Sequence, residues 1–202
     1  MLTIEKINNV FEYRTGNIFD QTDLNYIAHQ CNCFHCFGAG VANQIARIYP
    51  EAKAIDKTTE YGDNNKMGNF VIAHITDESK PNLKGIINMY CQFHPGCYET
   101  DAEYEERLGA IYRCLVNMKN TFNNEKVTIG FPWLIGCGIS GLNEEDVFDT
   151  FKMALANNKN IKIVFVDFNN SFSKETKEEY YQPEFDWNEE RNDAHIEANS
   201  AF

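Results

Sequence analysis

Hydrophobic and polar positions follow two rhythms along this chain, and the rhythms alternate. Short apolar runs read as strands: VFEYRT (10–15), NYIAHQCNC (25–33), NFVIAHIT (69–76), GIINMYCQ (85–92), KVTIGFPWL (126–134) and IKIVFVDF (161–168), the last apolar enough to be buried. Between them lie stretches with helical spacing. In GVANQIARIYP, Val41, Ile45 and Ile48 share one face and Pro50 ends the run. DAEYEERLGAIYRCLVNMKNTF (101–122) opens on acidic residues suited to a helix N-terminus and sets Tyr104, Leu108, Ile111, Leu115 and Met118 along one stripe. NEEDVFDTFKMALANN (143–158) reads as a helix capped by Asn143. Strands followed by crossover helices predict a three-layer α/β/α sandwich with a central mixed, mainly parallel sheet.

The pattern stops near residue 169. Residues 170–202 are acidic with scattered aromatics, and the expectation is one domain over 1–169 followed by a tail, flexible or docked through Tyr180, Tyr181, Phe185 and Trp187. Within 174–202 nine acidic side chains face three basic ones, a balance of −6 and half the chain's net −12. That charge argues against nucleic acid and anionic membrane as partners, because both would repel it. An anionic ligand would have to be held by local backbone dipoles. No apolar run approaches the roughly 18 residues of a membrane span, and the N-terminus shows no secretory pattern. Seven cysteines, an odd number, fit reduced thiols in the cytoplasm.

Candidate chemistry gathers at two glycine-rich junctions, each after a predicted strand and before a predicted helix. The first is Phe37-Gly38-Ala39-Gly40; the second is Gly136-Cys137-Gly138-Ile139-Ser140-Gly141. Glycine lets the backbone come close to a ligand, and free amides at a turn and a helix N-terminus attract anions. In open α/β sheets such loops emerge at the carboxyl ends of strands, where ligands sit. Neither loop is a Walker or a complete dinucleotide fingerprint. Upstream of the first loop, HQCNCFHCFGAG (29–40) crowds three cysteines and two histidines together. Three readings stand open. Cys31, Cys33 and Cys36 could meet Cys91, His94 and Cys97 around zinc, although only Cys33-x₂-Cys36 has a knuckle spacing. Cys36 or Cys137 could be a nucleophile activated by a helix N-terminus, although no base lies nearby in sequence. The cysteines could also be packing on a buried strand that ends in an anion-binding loop.

GNIFD (16–20), IAHQCNCFHCFGAGVANQIARIYPEA (27–52), IINMYCQ (86–92) and FPWLIGCGISGLNEEDV (131–147) together resemble a macro domain over roughly residues 8 to 168. The likeness is to the branch that processes ADP-ribose 1″-phosphate, with its small phage and fungal members. It implies an ADP-ribose cleft with no metal and no cofactor, in the cytoplasm or, for a viral member, the host cytoplasm. The ligand would be ADP-ribose, ADP-ribose 1″-phosphate or an ADP-ribosylated protein. By this resemblance Asn32 lies beside the distal ribose, while Gly38, Ala39, Gly40 and Val41 form the first loop. Gly136, Cys137, Gly138, Ile139, Ser140 and Gly141 form the second, along the diphosphate. Asn17 and Ile18 fall where the family usually has an acid that reads the adenine amine, and Phe168 or Asn169 would flank the base. His29 and His35 are the candidate proton carriers, with Asn32 orienting ribose or water. Tyr90, Gln92, Phe93 and Tyr98 are candidates to line the cleft. Two hydrolase signatures of the family are not intact, since the chain has Ala42, Gln92-Phe93-His94 and Ser140 at those neighbourhoods. The resemblance therefore favours a phosphatase, or a binder without turnover, over an ADP-ribosyl hydrolase.

Overall fold

The apolar runs pair side by side, and the helical stretches cover them from both faces. The structure is a computed structural model, and it describes residues 4–6, 10–133 and 135–168. Its strands are β1 (Ile4–Lys6), β2 (Phe11–Thr15), β3 (Tyr26–Asn32), β4 (Phe70–His74), β5 (Gly85–Gln92), β6 (Val127–Pro132) and β7 (Ile161–Asp167). The helices are α1 (Gly40–Ile48), α2 (Pro50–Asp56), α3 (Asp101–Thr121) and α4 (Glu144–Ala154). The sheet runs β1-β2-β7-β6-β3-β5-β4. The pairs β2–β7, β7–β6, β6–β3 and β3–β5 are parallel, and the outer pairs β1–β2 and β4–β5 are antiparallel. The α/β class and the mixed, mainly parallel sheet are thus as expected.

Side-chain alternation along each strand feeds the two outer layers. Ile27, Ile86, Val164 and Val166 pack with Ile45, Tyr49 and Ala52 of the α1–α2 layer. One residue out of step, Phe165 meets Phe148 and Phe151 of α4, and Tyr26 meets Phe122 at the end of α3. Gly130 has no side chain because Leu24 fills its place: an added Cβ would lie 2.4 Å from Leu24 Cδ1.

Three differences from the sequence expectation have local causes. Pro50 does end α1, but it also starts α2, since proline fits the first helical turn where its missing N–H is not needed. Ile48 turns outward and is 47% exposed, so the apolar face of α1 rests on Ile45 with Val41 partly covered. The cap of α3 is Thr100, one residue before the acidic run; its hydroxyl accepts from Glu103 N, and the Glu103 carboxylate accepts from Glu99 N. Asn143 caps α4 as expected, accepting from Glu145 N at 2.8 Å. Among the described residues no helix is long and apolar enough to cross a membrane. Asn169 and the acidic segment 170–202 lie outside the described residues.

Candidate functional site

The carboxyl ends of four adjacent parallel strands, β7, β6, β3 and β5, open into a cavity of about 540 Å³. Its walls come from the two glycine loops, from Val166-Asp167-Phe168 at the end of β7, and from Gln92 at the end of β5 with Pro95-Gly96 just past it. Of the thirteen residues expected to contact ligand, nine line it: Gly38, Ala39, Gly40, Val41, Gly136, Gly138, Ile139, Ser140 and Phe168. Asn32 and His29, two of the three candidate catalytic residues, reach its wall as well.

The first loop leads directly into α1. Gly40 is the first helical residue, at φ 57°, and Ala39 supplies no side-chain cap. The first amides of α1 therefore have no partner from their own helix and point at the cavity end. The second loop is pinned at its ends by Gly141 N to Gly138 O and Leu142 N to Gly136 O. The amides of Gly138, Ile139 and Ser140 take part in neither bond. A Cβ added at Gly38 or Gly138 would meet nothing within 4 Å. The fold itself does not need glycine there; the empty space belongs to the cavity.

Polar side chains brace the second loop. Gln30 Nε2 donates to Ser140 Oγ and to Gln92 Oε1. Arg107, buried on α3, donates from one nitrogen to Ser140 Oγ, Ser140 O and Gly96 O at 2.8–2.9 Å. Ser140 Oγ thus accepts two hydrogen bonds and keeps its own proton to donate. Burial pulls the Arg107 pKa down, and the Glu103 charge offsets part of that. The stripe of α3 carried the signal for Arg107, which stands four residues before buried Ile111 on the covered face. Trp133 and Asp167 also line the cavity without having been expected there.

Several expected residues lie elsewhere. His35 is outside the lining; its Nε2 sits 3.1 Å from Thr59 Oγ1 and 3.3 Å from Lys66 Nζ, behind the loop. Its φ of 54° turns the chain at that point. Asn17 and Ile18 are also outside: Asn17 Oδ1 caps a 3-10 turn by accepting from Phe19 N, and Ile18 is buried in the core. Cys137 and Gly141 belong to the loop but turn away. The Cys137 side chain packs in a small crevice with Val147 and Phe148 of α4, and Gly141 backs onto Cys97 and Tyr98. Of the four further cleft candidates only Gln92 lines the cavity. Tyr90 points to the α2 side, where its hydroxyl donates to Asp56; Phe93 packs on Phe34; Tyr98 packs on Tyr104.

His29 is 1% exposed, and its Nε2 lies 2.7 Å from Asn88 Oδ1, which requires that nitrogen to carry the proton. Burial pushes its pKa down to about 4, so the ring is neutral at pH 7 and a weak base. Asn32 spends its side chain on the loop: Oδ1 accepts from Phe34 N and Cys36 N, and Nδ2 donates one hydrogen to Cys36 O. One Nδ2 hydrogen is left for a ligand.

The cysteine crowding resolves through strand geometry. β3 and β5 pair Cys31 with Tyr90, so Cys91, one residue on, faces the other side of the sheet, where its thiol meets Cys114 on α3. Cys31 instead sits 3.6 Å from His29 Nε2. Among the described residues no three His, Cys, Asp or Glu side chains are grouped to hold a metal ion. Burial drives the Cys137 pKa up to about 12, the reverse of an activated nucleophile.

No family model matches the chain. It is 34% identical over 148 residues, 70% of its length, to an uncharacterized 17.5 kDa protein of Enterobacteria phage T4, from the tk-vs intergenic region, and spans 85% of that protein. In structure it resembles the macrodomain of Mycobacterium tuberculosis DarG, with a TM-score of 0.60, 20% identity, and 79% of this chain and 98% of that one covered. It also resembles Thermosipho africanus DarTG in complex with ADP-ribose (TM-score 0.65, 14% identity, 87% and 46% covered). A third likeness is to an Oceanobacillus iheyensis macrodomain with MES bound (TM-score 0.60, 18% identity, 98% of each chain).

Proposed function

We propose that this chain, which has the fold of the macrodomains it resembles, binds ADP-ribose derivatives along the cavity and releases phosphate from ADP-ribose 1″-phosphate. One observation carries the binding reading: two glycine loops, empty of Cβ atoms, converge on a cavity at the carboxyl ends of parallel strands. Diphosphate oxygens fit amides at the first turn of α1 and in the Gly138–Ser140 turn. The Ser140 hydroxyl adds a neutral donor. The terminal ribose then lies over Asn32, at the ends of β3 and β5, and the adenine lies toward β7. A protein of the same fold has been seen in complex with ADP-ribose, which supports this reading.

Turnover of the 1″-phosphate draws its support from the motif resemblance and from the loop amides at the cavity, whose wall carries no lysine or arginine among the described residues. Water attacks phosphorus, the bond from phosphorus to the 1″ oxygen breaks, and that oxygen leaves with a proton as the free hydroxyl of ADP-ribose. Loop amides stabilise the phosphoryl oxygens, and the remaining Asn32 hydrogen orients the ribose. With His29 neutral and His35 behind the loop, the attacking water passes one proton to a phosphoryl oxygen and from there to the leaving 1″ oxygen, and the reaction is slow. The setting proposed for it is the cytoplasm. Binding without turnover is the second reading, favoured by the engaged side chain of Asn32; its ligands would include ADP-ribosylated proteins. Phosphate release from ADP-ribose 1″-phosphate, measured for the wild type and Asn32→Ala beside calorimetric binding of ADP-ribose, separates the two. Tight binding with no phosphate release leaves the binder alone standing.

A further inference from the structure

A second cavity, of about 560 Å³, adjoins the first, and Pro95 lines both. Its size falls within the range of small-molecule sites, roughly 300–1,000 Å³. The start of α3 supplies its charged wall. Glu103, Glu106 and Arg107 stand three and four residues apart on one face of the helix, and Glu99 comes just before the Thr100 cap. Met67 and Phe93 add apolar surface.

Arg107 is the buried member, 4% exposed, and its three hydrogen bonds all leave from Nη1, to Gly96 O, Ser140 O and Ser140 Oγ. Among the described residues its Nε and Nη2 have no hydrogen-bond partner. These two nitrogens form an edge of the guanidinium that can hold a carboxylate through two parallel bonds. Glu103, four residues earlier, is placed as an ion-pair partner along the helix, but its carboxylate turns back to accept from Glu99 N. No carboxylate of the described residues pairs with Arg107, so two donors are left for the cavity it lines.

The acidic side is open as well. Among the described residues the Glu99 and Glu106 carboxylates make no ion pair. No three acidic, histidine or cysteine side chains there are grouped around one metal position, so the charges suit an organic ligand whose own charges lie apart. Three carboxylates against one guanidinium leave the wall negative. The complement is a molecule with one anionic group, for Arg107, and an excess of cationic ones. We propose that the second cavity binds a basic α-amino acid: its carboxylate takes the Nε and Nη2 donors of Arg107, its cationic groups meet the glutamates, and its methylenes lie on Met67 and Phe93. An amine lacking the carboxylate would meet the guanidinium with a like charge, and a neutral amino acid would leave glutamates unmatched.

The probes are L-arginine, agmatine (the same cation without the carboxylate) and L-citrulline (its neutral counterpart), each titrated calorimetrically into the full chain. L-Arginine should bind saturably, and agmatine and L-citrulline at least about tenfold more weakly. Glu106→Gln should weaken L-arginine by about threefold or more and leave ADP-ribose affinity unchanged, since Glu106 does not line the first cavity. No binding of L-arginine, agmatine or L-citrulline binding as tightly as L-arginine, or an unchanged L-arginine affinity in Glu106→Gln each overturns the proposal. The comparison of the three ligands uses the wild type alone and needs no variant to fold. It also stands apart from the reading of the first cavity, because a chain that fails to bind ADP-ribose can still bind L-arginine.

Discussion

His29 shows how burial decides a residue's role. A histidine two positions before a cysteine-rich loop invites a catalytic reading, but its position on β3 turns the ring under α1 and α2 and against Asn88. With its pKa at about 4, the folded protein holds the ring neutral where an unfolded chain, near 6.5, would bind a proton. The unfolded state therefore takes up more protons between those values. His29 contributes its full stability above pH 6.5 and loses it as pH falls toward 4, a swing of roughly 3 kcal/mol. Urea unfolding of wild type and His29→Gln at pH 7 and pH 4 should show the wild-type advantage shrinking by that order; an advantage independent of pH contradicts it. Asn32, His35 and Asn17 teach the same point. Sequence names polar residues near a loop, but which hydrogen bonds they already make within it is a three-dimensional fact. The glycines were legible because their value lies in lacking a side chain, which sequence states directly.

At the level of elements, most strands and helices could be read from periodicity because each buries an apolar face of the expected rhythm. α2 could not, since Pro50 signals a stop as strongly as a start. The two glycine loops could be found, but not the means of holding the second one in place. Arg107 ties it from α3 through Ser140 to Gly96 beyond β5, and its role depends on a contact between residues 33 positions apart. Arg107→Met should loosen the Gly138–Ser140 turn and weaken ADP-ribose binding by about tenfold or more, with a smaller loss for Arg107→Lys; calorimetry on both variants checks this. Unchanged affinity in Arg107→Met would show that the turn holds itself. Asn143→Ala removes the cap of α4 and should cost about 1 kcal/mol in denaturant unfolding, with ADP-ribose affinity nearly unchanged because Asn143 does not line the cavity.

For the whole molecule, a chain of net charge −12 is proposed to hold a diphosphate in a cavity lined, among the described residues, by neither lysine nor arginine. Attraction then comes from fixed amide dipoles at short range, which salt screens poorly, while the body's negative charge opposes the approach. ADP-ribose affinity should consequently stay level or rise slightly from about 0.05 to about 0.5 M salt. A steep fall would reveal a cation at the site. The central claim is that the loops are open at Gly38 and Gly138 for a ligand rather than for the fold, and calorimetry with ADP-ribose on wild type and the double variant Gly38→Ala, Gly138→Ala, beside thermal unfolding of both, tests it most directly. The wild type should bind, the variant should lose at least about tenfold in affinity, and stability should be preserved within about 1 kcal/mol. A variant that binds as tightly as the wild type, or a wild type that does not bind at all, would contradict it.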